Sequence, residues 1–282
     1  MMKWRKIPAV ELSKAKAFLL EREKYCVAAC ARFRRINEGR GRVWYLDGSE
    51  GGLNAILLHS KRTLFPVFNE TIKVPAPGFL NRFLGKVDIH AVQGIRRDAE
   101  QLESLMEGQG YFASERIDYH LMSLDPPSDT AEWMAHKNNP SGLIMRKPAA
   151  SDEESLFALQ AAYEQEEVLP ENSVFDPTSC RLNLKRIVSS ERIIVAELGG
   201  QVVGKINTSA ESFSRHQIGG VYVRPDCRGL GIGLKMTIAL SEPLLAQGKG
   251  LTLFVKKRNA AAVKVYRNAG FSILADYRIS YY

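Results

Sequence analysis

A glycine-rich turn between a β-branched strand and a helix constrains this chain more than any other feature. It runs from Val221 to Leu234 with the sequence VYVRPDCRGLGIGL. Three glycines in five residues remove side chains where a helix begins, so backbone N–H groups can approach a ligand closely. Those N–H groups and the positive end of the helix dipole favour phosphate oxygens, and Arg228 adds a positive charge. We therefore predict a phosphate-bearing ligand at this turn.

Two other phosphate-binding motifs fit the turn less well. The Walker motif requires Gly-Lys-Ser/Thr, which does not follow Gly233. A dinucleotide-binding loop requires GxGxxG after the first strand of a βαβ unit, and Gly229–Leu234 has the wrong third spacing. The turn also follows a predicted meander of three strands. Both alternatives are therefore disfavoured.

The second half of the chain has the pattern of a mixed α/β (α+β) domain, which we place at residues 142–282. Its order is β-α-α-β-β-β-α-β-α-β, which predicts a mixed sheet flanked by helices. Gly199–Gly200 is predicted to be the turn of a two-residue hairpin. The predicted elements are strands at 143–147, 192–198, 201–208, 217–223 and 251–255, helices at 152–165, 178–189, 231–246 and 260–268, and a final strand.

A second motif follows the glycine turn. The strand Leu253-Phe254-Val255 precedes a helix with Asn259 before its first residue and Tyr266 inside it, and Gly270-Phe271 follows the helix. Together with Arg228-x-x-Gly231-x-Gly233, these residues resemble the acetyl-CoA signature of GNAT-family N-acetyltransferases. The resemblance covers about residues 142–282.

The resemblance implies a role for each residue around acetyl-CoA. The glycine turn would hold the pyrophosphate, the strand end would pair with the pantetheine arm, and an N–H near Val223 would face the thioester oxygen. Asn259 would contact the coenzyme, although it is equally suited to cap its helix. The coenzyme-binding residues implied are Tyr222, Val223, Arg228, Gly229, Leu230, Gly231, Ile232, Gly233, Leu234 and Asn259. No metal is implied.

The resemblance also suggests catalytic groups. Tyr266 would protonate the departing thiolate, or else it is a core tyrosine. Many relatives carry a glutamate on the strand before the turn, but Gln217–Val221 contains no acid. Glu166 and Glu167 could instead bind a cationic acceptor or take its proton, or they form a solvated helix end. His216 and a water chain are further alternatives for the base.

Residues 1–125 are predicted to form an accessory domain, joined by a linker at 126–141. The pattern predicts one long helix over Ala9–Arg35, then strands, of which the last before the next helix is Val87–Val92, and a helix at Arg96–Glu107. Gly110-Tyr111 follows that helix as Gly270-Phe271 follows the last one, which suggests two tandem GNAT-like domains. The first half lacks a glycine-rich turn, and Met106 takes the place of Tyr266. We expect a degenerate domain that covers the catalytic domain, shapes the acceptor site or forms a homodimer.

Composition and charge disfavour several classes of binding partner. The net charge of +8 is spread over both halves, so nucleic-acid binding is disfavoured. No run of 18 apolar residues predicts a membrane span, and the N-terminus does not resemble a signal peptide, so we expect a cytoplasmic protein without a membrane partner. Cys26 and Cys30 would share one helix face, as half a metal site or as buried packing, and we favour packing.

These observations predict an enzyme that transfers an acetyl group from acetyl-CoA to an amine by direct attack in a ternary complex. Cys227 could carry an acyl group only with a base beside it, and no histidine partner is evident. The alternative is a non-catalytic acetyl-CoA-binding sensor or regulatory protein.

Overall fold

The structure, a computed structural model, describes residues 3–36, 41–48, 52–70, 73–126, 142–170 and 173–282. The strands are β1 (Trp4–Lys6), β2 (Arg42–Asp47), β3 (Leu53–Ser60), β4 (Thr63–Phe68), β5 (Ala91–Ile95), β6 (Glu115–Leu124), β7 (Leu143–Arg146), β8 (Ile193–Leu198), β9 (Gln201–Glu211), β10 (Arg215–Val223), β11 (Gly250–Lys256) and β12 (Ser272–Tyr281). The α-helices are α1 (Leu12–Glu21), α2 (Val27–Arg34), α3 (Leu80–Leu84), α4 (Arg96–Glu107), α5 (Glu153–Tyr163), α6 (Pro177–Ser190), α7 (Ile232–Leu245) and α8 (Ala260–Asn268). No helix among these residues is long and apolar enough to cross a membrane.

The chain divides into two compact units. The first comprises Met1–Leu121, Phe254–Arg258 and Ile273–Tyr282, and the second comprises Met122–Leu253 and Asn259–Ser272. The predicted division at residues 126–141 followed chain order, whereas the first unit also takes the end of β11 and nearly all of β12. Residues 127–141 of the predicted linker lie outside the described part of the chain.

Strand β12 belongs to the first unit because its partners lie there. The sheet order in that unit is β1-β2-β3-β4-β5-β12-β6, and β12 runs antiparallel to β5 with Tyr277 opposite Ile95. Arg278 of β12 donates to Asp118 of β6 at 2.8 Å. Tyr277 stacks on Phe254 with ring centroids 5.2 Å apart. Backbone pairing and side-chain packing therefore both hold β12 in this unit.

Two of the elements predicted for the first unit differ in the structure, and β1 was not predicted. The predicted helix over Ala9–Arg35 is interrupted by a 3-10 turn at Glu23–Tyr25, which separates α1 from α2. Both helices bury apolar residues, so tertiary packing overrides a continuous local pattern. The strand predicted at 87–92 lies instead at Ala91–Ile95, because pairing with β4 begins at Ala91.

The second unit contains an antiparallel series that leads to the glycine turn. Its sheet order is β11-β10-β9-β8-β7. The hairpin between β8 and β9 turns at Gly199–Gly200, whose φ values of 57° and 77° confirm the predicted two-residue turn. Strand β10 pairs in parallel with β11 from Arg215 to Gln217. This mixed pairing agrees with the predicted mixed sheet.

The predicted repeat is visible where α4 and α8 end. Gly110 and Gly270 both have left-handed backbones, with φ of 84° and 90°. Tyr111 N–H donates to the Met106 carbonyl at 3.0 Å, and Phe271 N–H donates to the Tyr266 carbonyl at 2.9 Å. The two helix ends are therefore built alike, which places Met106 at the position of Tyr266.

Candidate coenzyme site

A cavity of about 550 Å³ opens in the second unit beyond the part of β10 that pairs with β11. The last parallel pair joins Gln217 to Thr252, and the cavity wall begins four residues later, at Val221. The start of α7, one side of α8 over its whole length and the turn after α5 complete the wall. Its lining residues are Glu166, Glu167, Val221, Tyr222, Val223, Cys227, Arg228, Gly229, Gly231, Ile232, Gly233, Leu234, Asn259, Ala261, Ala262, Lys264, Val265, Tyr266 and Asn268.

The glycine turn forms one end of the cavity. Gly229 and Gly231 have φ of 83° and 74°, and Gly231 is the N-cap of α7. A Cβ at either glycine would meet no atom within 4 Å, so backbone conformation rather than crowding favours glycine there. The N–H groups of the first turn of a helix have no partner within it and are suited to bind an anion. Leu230 is half exposed and does not line the cavity.

The end of β10 presents a backbone edge to the cavity. Arg224 N–H donates to the Val203 carbonyl of β9 at 2.8 Å. Because N–H groups alternate in direction along a regular strand, that of Val223 faces the other side, where the cavity lies. Val221 lies in an irregular part of β10, and its N–H points away from Lys205 because the preceding carbonyl, of Gly220, accepts from that lysine. Two backbone donors are therefore available to an extended ligand.

Arg228 crosses this edge near the glycine turn. Its Nε donates to the Val223 carbonyl at 3.1 Å, and a terminal nitrogen donates to Glu166 Oε2 at 2.8 Å. Its guanidinium carbon lies 5.3 Å from the centre of the Tyr222 ring. Glu166 is thus paired with a residue of the coenzyme motif.

Asn259 caps α8, as its alternative interpretation predicted. Its Oδ1 accepts the Ala262 N–H at 3.0 Å, while its Nδ2 donates to Glu167 Oε1 at 2.9 Å. Glu166 and Glu167 both lie in a π-helical turn, Glu164–Val168, that extends α5. That turn brings the two carboxylates to different parts of the cavity wall.

Tyr266 lies at the cavity wall on α8 and is 8% exposed. Burial raises the pKa of its phenol, and the charges of Tyr163 and Glu167 raise it further. The pKa of Tyr163 is raised by burial and by the charge of Glu167, although a hydrogen bond with the Gly220 backbone lowers it. Both phenols therefore stay protonated at neutral pH, and Glu167 is close enough to influence both.

Two other candidates lie differently. His216 is buried in β10 and is absent from the residues that line the described cavity. Cys227 lines the cavity, where Arg224 donates to its Sγ at 3.7 Å. The sequence analysis did not identify Tyr163 or the fully buried Lys205 as residues near the site, because both contact Gly220, which is distant from them in sequence.

The model of the acetyltransferase (GNAT) family matches residues 151–271. No curated protein matches the sequence.

Solved structures match over the whole chain. A Drosophila protein from a structural genomics project has a TM-score of 0.67 and 12% identity, covering 99% of this chain and 98% of its own. A tandem GNAT protein from the clavulanic acid biosynthesis pathway has a TM-score of 0.61 and 12% identity, covering 100% and 98%. A GCN5-related N-acetyltransferase from Sphaerobacter thermophilus has a TM-score of 0.59 and 17% identity, covering 100% and 95%. Residues 151–271 therefore form an acetyltransferase domain of the GNAT family, within a chain that has the tandem GNAT fold.

Proposed function

We propose that this protein transfers an acetyl group from acetyl-CoA to an amine by direct attack in a ternary complex. One observation carries the proposal: a single 550 Å³ cavity joins an anion-binding glycine turn, an exposed strand edge and a buried tyrosine. A coenzyme with a pyrophosphate, an amide-containing arm and a thioester needs these three features in this order.

The reacting end of the cavity lies near Val221 and Tyr266. The Tyr163 phenol forms a hydrogen bond with the Gly220 backbone and lies close enough to Tyr266 to influence the pKa of that phenol, so these groups are neighbours. Val223 lies nearer the glycine turn, since its carbonyl accepts from Arg228. We therefore assign the thioester oxygen to the Val221 N–H, two residues before the strand position first expected.

The reaction follows from these positions. The amine nitrogen attacks the thioester carbon, and the Val221 N–H stabilises the negative charge that develops on the oxygen. The carbon–sulfur bond then breaks, and Tyr266 protonates the departing sulfur. Its raised pKa keeps the phenol protonated until that step. The amine proton restores the phenol through Glu167 or water.

The structure favours Glu167 over Glu166 as the group that receives the amine or its proton. Glu167 acts electrostatically on both phenols, whereas Glu166 is paired with Arg228 beside the glycine turn. A base or an ammonium-binding group must lie within reach of the reacting atoms. Glu166 is better placed to influence coenzyme binding.

A second candidate function is an acetyl-CoA sensor without efficient turnover. The absence of an acid in Gln217–Val221, which in many relatives supplies the base, favours it. A sensor would use the same cavity and would need neither Glu167 nor Tyr266 for binding.

The test combines binding and turnover. The full chain is titrated calorimetrically with acetyl-CoA and with CoA, and thiol release is followed with a polyamine, an amino acid, an aminoglycoside and a peptide N-terminus. Micromolar binding with amine-dependent thiol release supports the enzyme. Binding with no amine-dependent release supports the sensor, and no binding contradicts both.

A further inference from the structure

One lysine of the second unit is completely buried. Lys205 of β9 is 0% exposed and lies opposite Tyr222 of β10. It donates to the Gly220 carbonyl at 2.9 Å and to Asn207 Oδ1 at 3.1 Å, and its Nζ lies 5.0 Å from the centre of the Tyr163 ring. Burying an ammonium costs several kcal/mol in proteins, on the order of magnitude of a whole domain's stability. A lysine at this position is therefore unfavourable if its only role is to fill the interior.

Lys205 holds an irregular part of β10. The pairing register with β9 shifts between Gly219 and Tyr222, and Gly220 has φ of 60°. A Cβ on Gly220 would lie 2.1 Å from Asn207 Oδ1 and 2.8 Å from Lys205 Nζ. The bulge therefore fits tightly against these side chains, and only glycine can occupy its centre.

The direction of one peptide group links this bulge to the cavity. In a trans peptide the carbonyl oxygen and the following N–H point to opposite sides. Because the Gly220 carbonyl points to Lys205, the Val221 N–H points away from it, and Val221 lines the cavity. Lys205 itself is not among the residues that line the described cavity.

We propose that Lys205 is a positioning residue for acyl transfer, which holds the Gly220 carbonyl so that the Val221 N–H faces the thioester oxygen. The inference rests on the proposed function and extends it to a residue that touches neither coenzyme nor acceptor. A donor fixed before reaction stabilises a developing oxyanion without reorganisation, so its alignment governs the rate.

The ionisation of Lys205 offers a check on its burial. Burial lowers its pKa to about 7, although the charges of Glu164 on the extension of α5 and Cys180 on α6 act in the opposite direction. The unfolded lysine, near its usual 10.5, holds its proton to higher pH, so stability should rise between about pH 7 and 10.5. Replacement of Lys205 by methionine should remove this rise, and both forms of the amine can still donate to Gly220.

The test compares Lys205→Met with Lys185→Met, a change at an exposed lysine of α6. Acetyl-CoA hydrolysis serves as the reaction: water oxygen attacks the thioester carbon, the carbon–sulfur bond breaks, and thiol is released with acetate. We expect Lys205→Met to lower this rate at least about tenfold while CoA affinity changes less than about threefold. The variant should also lose any preference for acetyl-CoA over CoA, because only acetyl-CoA offers the carbonyl. Lys185→Met should match the wild type.

Several results would overturn the inference. One is a wild-type hydrolysis rate in Lys205→Met, and another is an equal loss of CoA binding and turnover. Lys205→Gln keeps a donor and should recover part of the rate, and it carries the comparison if the methionine variant does not fold. In the wild type, the infrared carbonyl band of carbonyl-¹³C acetyl-CoA should move to lower frequency on binding, because a donor contacts the thioester oxygen. An unshifted band would mean that no donor contacts this oxygen, and Lys205 would then have no donor to position. If the wild type neither binds nor hydrolyses acetyl-CoA, the proposed function fails instead.

Discussion

The two units open the same gap in their sheets and fill it differently. In each, two parallel strands pair briefly and then diverge: the last pairs are Leu64 with Val92 and Gln217 with Thr252. Four residues further on, the second unit presents Val221 to a cavity of about 550 Å³. In the first unit the matching space measures about 40 Å³.

Side chains close the gap in the first unit. Phe68, the counterpart of Val221, donates its N–H to Asp98 Oδ2 at 2.9 Å, and Arg97 donates to its carbonyl at 3.2 Å. Helix α4 begins 14 residues before Gly110, whereas α8 begins only 10 residues before the corresponding Gly270. The additional turn of α4 carries Arg97 and Asp98 to the strand. The fold thus supplies a gap, and one helical turn decides whether a ligand can enter it.

The largest expected effect concerns the glycine turn. Gly231→Glu should reduce acetyl-CoA affinity by more than about a hundredfold, because a carboxylate would occupy the anion site. Gly110→Glu is the matched control in the first unit: Gly110 also has a left-handed backbone with open space around it, so the strain is similar. Calorimetry should show binding only in the control. Equal binding by both variants would mean that the coenzyme binds elsewhere than at this turn.

The next largest effect is expected at Tyr266 and Met106, which occupy corresponding positions in α8 and α4. Tyr266→Phe should lower turnover about ten- to a hundredfold with little change in coenzyme affinity, because the sulfur loses its proton donor. Met106→Leu, at the corresponding buried position, should leave both unchanged, since it conserves volume. Steady-state kinetics with calorimetry distinguishes the two. A fully active Tyr266→Phe would leave the tyrosine a packing role only.

Asp98 offers a test of the closed gap. Asp98→Ala should destabilise the first unit by about 1–3 kcal/mol, because the Phe68 N–H loses its acceptor. Asp98→Asn should cost less: its oxygen still accepts, and burial already raises the pKa of the Asp98 carboxyl by disfavouring its charge. Urea unfolding measures both changes. Acetyl-CoA stoichiometry should remain one per chain in Asp98→Ala, because the additional turn of α4 and Arg97 still fill the gap. A second bound coenzyme would contradict this and show that the Asp98 side chain alone excludes the ligand.

The smallest effect concerns Glu166. Glu166→Gln should tighten acetyl-CoA binding about two- to fivefold, because the carboxylate no longer competes with phosphate for Arg228, and the pair is partly exposed. Glu107→Gln, which breaks the exposed pair with Arg116 in the first unit, is the control. Weaker binding by Glu166→Gln would mean that Glu166 assists the coenzyme rather than opposing it.

Local sequence features predicted the elements well. The bounds of α4 and α8 agree with the predicted residues, because amphipathic spacing and a following glycine define both helices. The motif residues Arg228, Asn259 and Tyr266 line one cavity in the structure, as the resemblance implied. Their roles toward acetyl-CoA remain predictions.

Features that depend on distant partners were not predictable. Nothing near Asp98 in sequence indicates that it will accept the Phe68 N–H. Lys205 stands in an alternating strand pattern where a lysine is expected to face solvent. Its buried acceptors are Asn207 Oδ1 and the Gly220 carbonyl, and the second depends on a bulge in a different strand. The placement of β12 likewise depends on pairing with β5, far away in the chain.

The position of β12 has a consequence for how the protein is made. A ribosome synthesises β12 after every other described strand, yet β12 lies between β5 and β6. Until it emerges, β5 and β6 each lack a neighbour and expose backbone groups that can recruit other chains. The first unit therefore begins to be translated before the second but cannot be completed until β12 leaves the exit tunnel, and during that interval its unpaired strand edges are open to association with other chains.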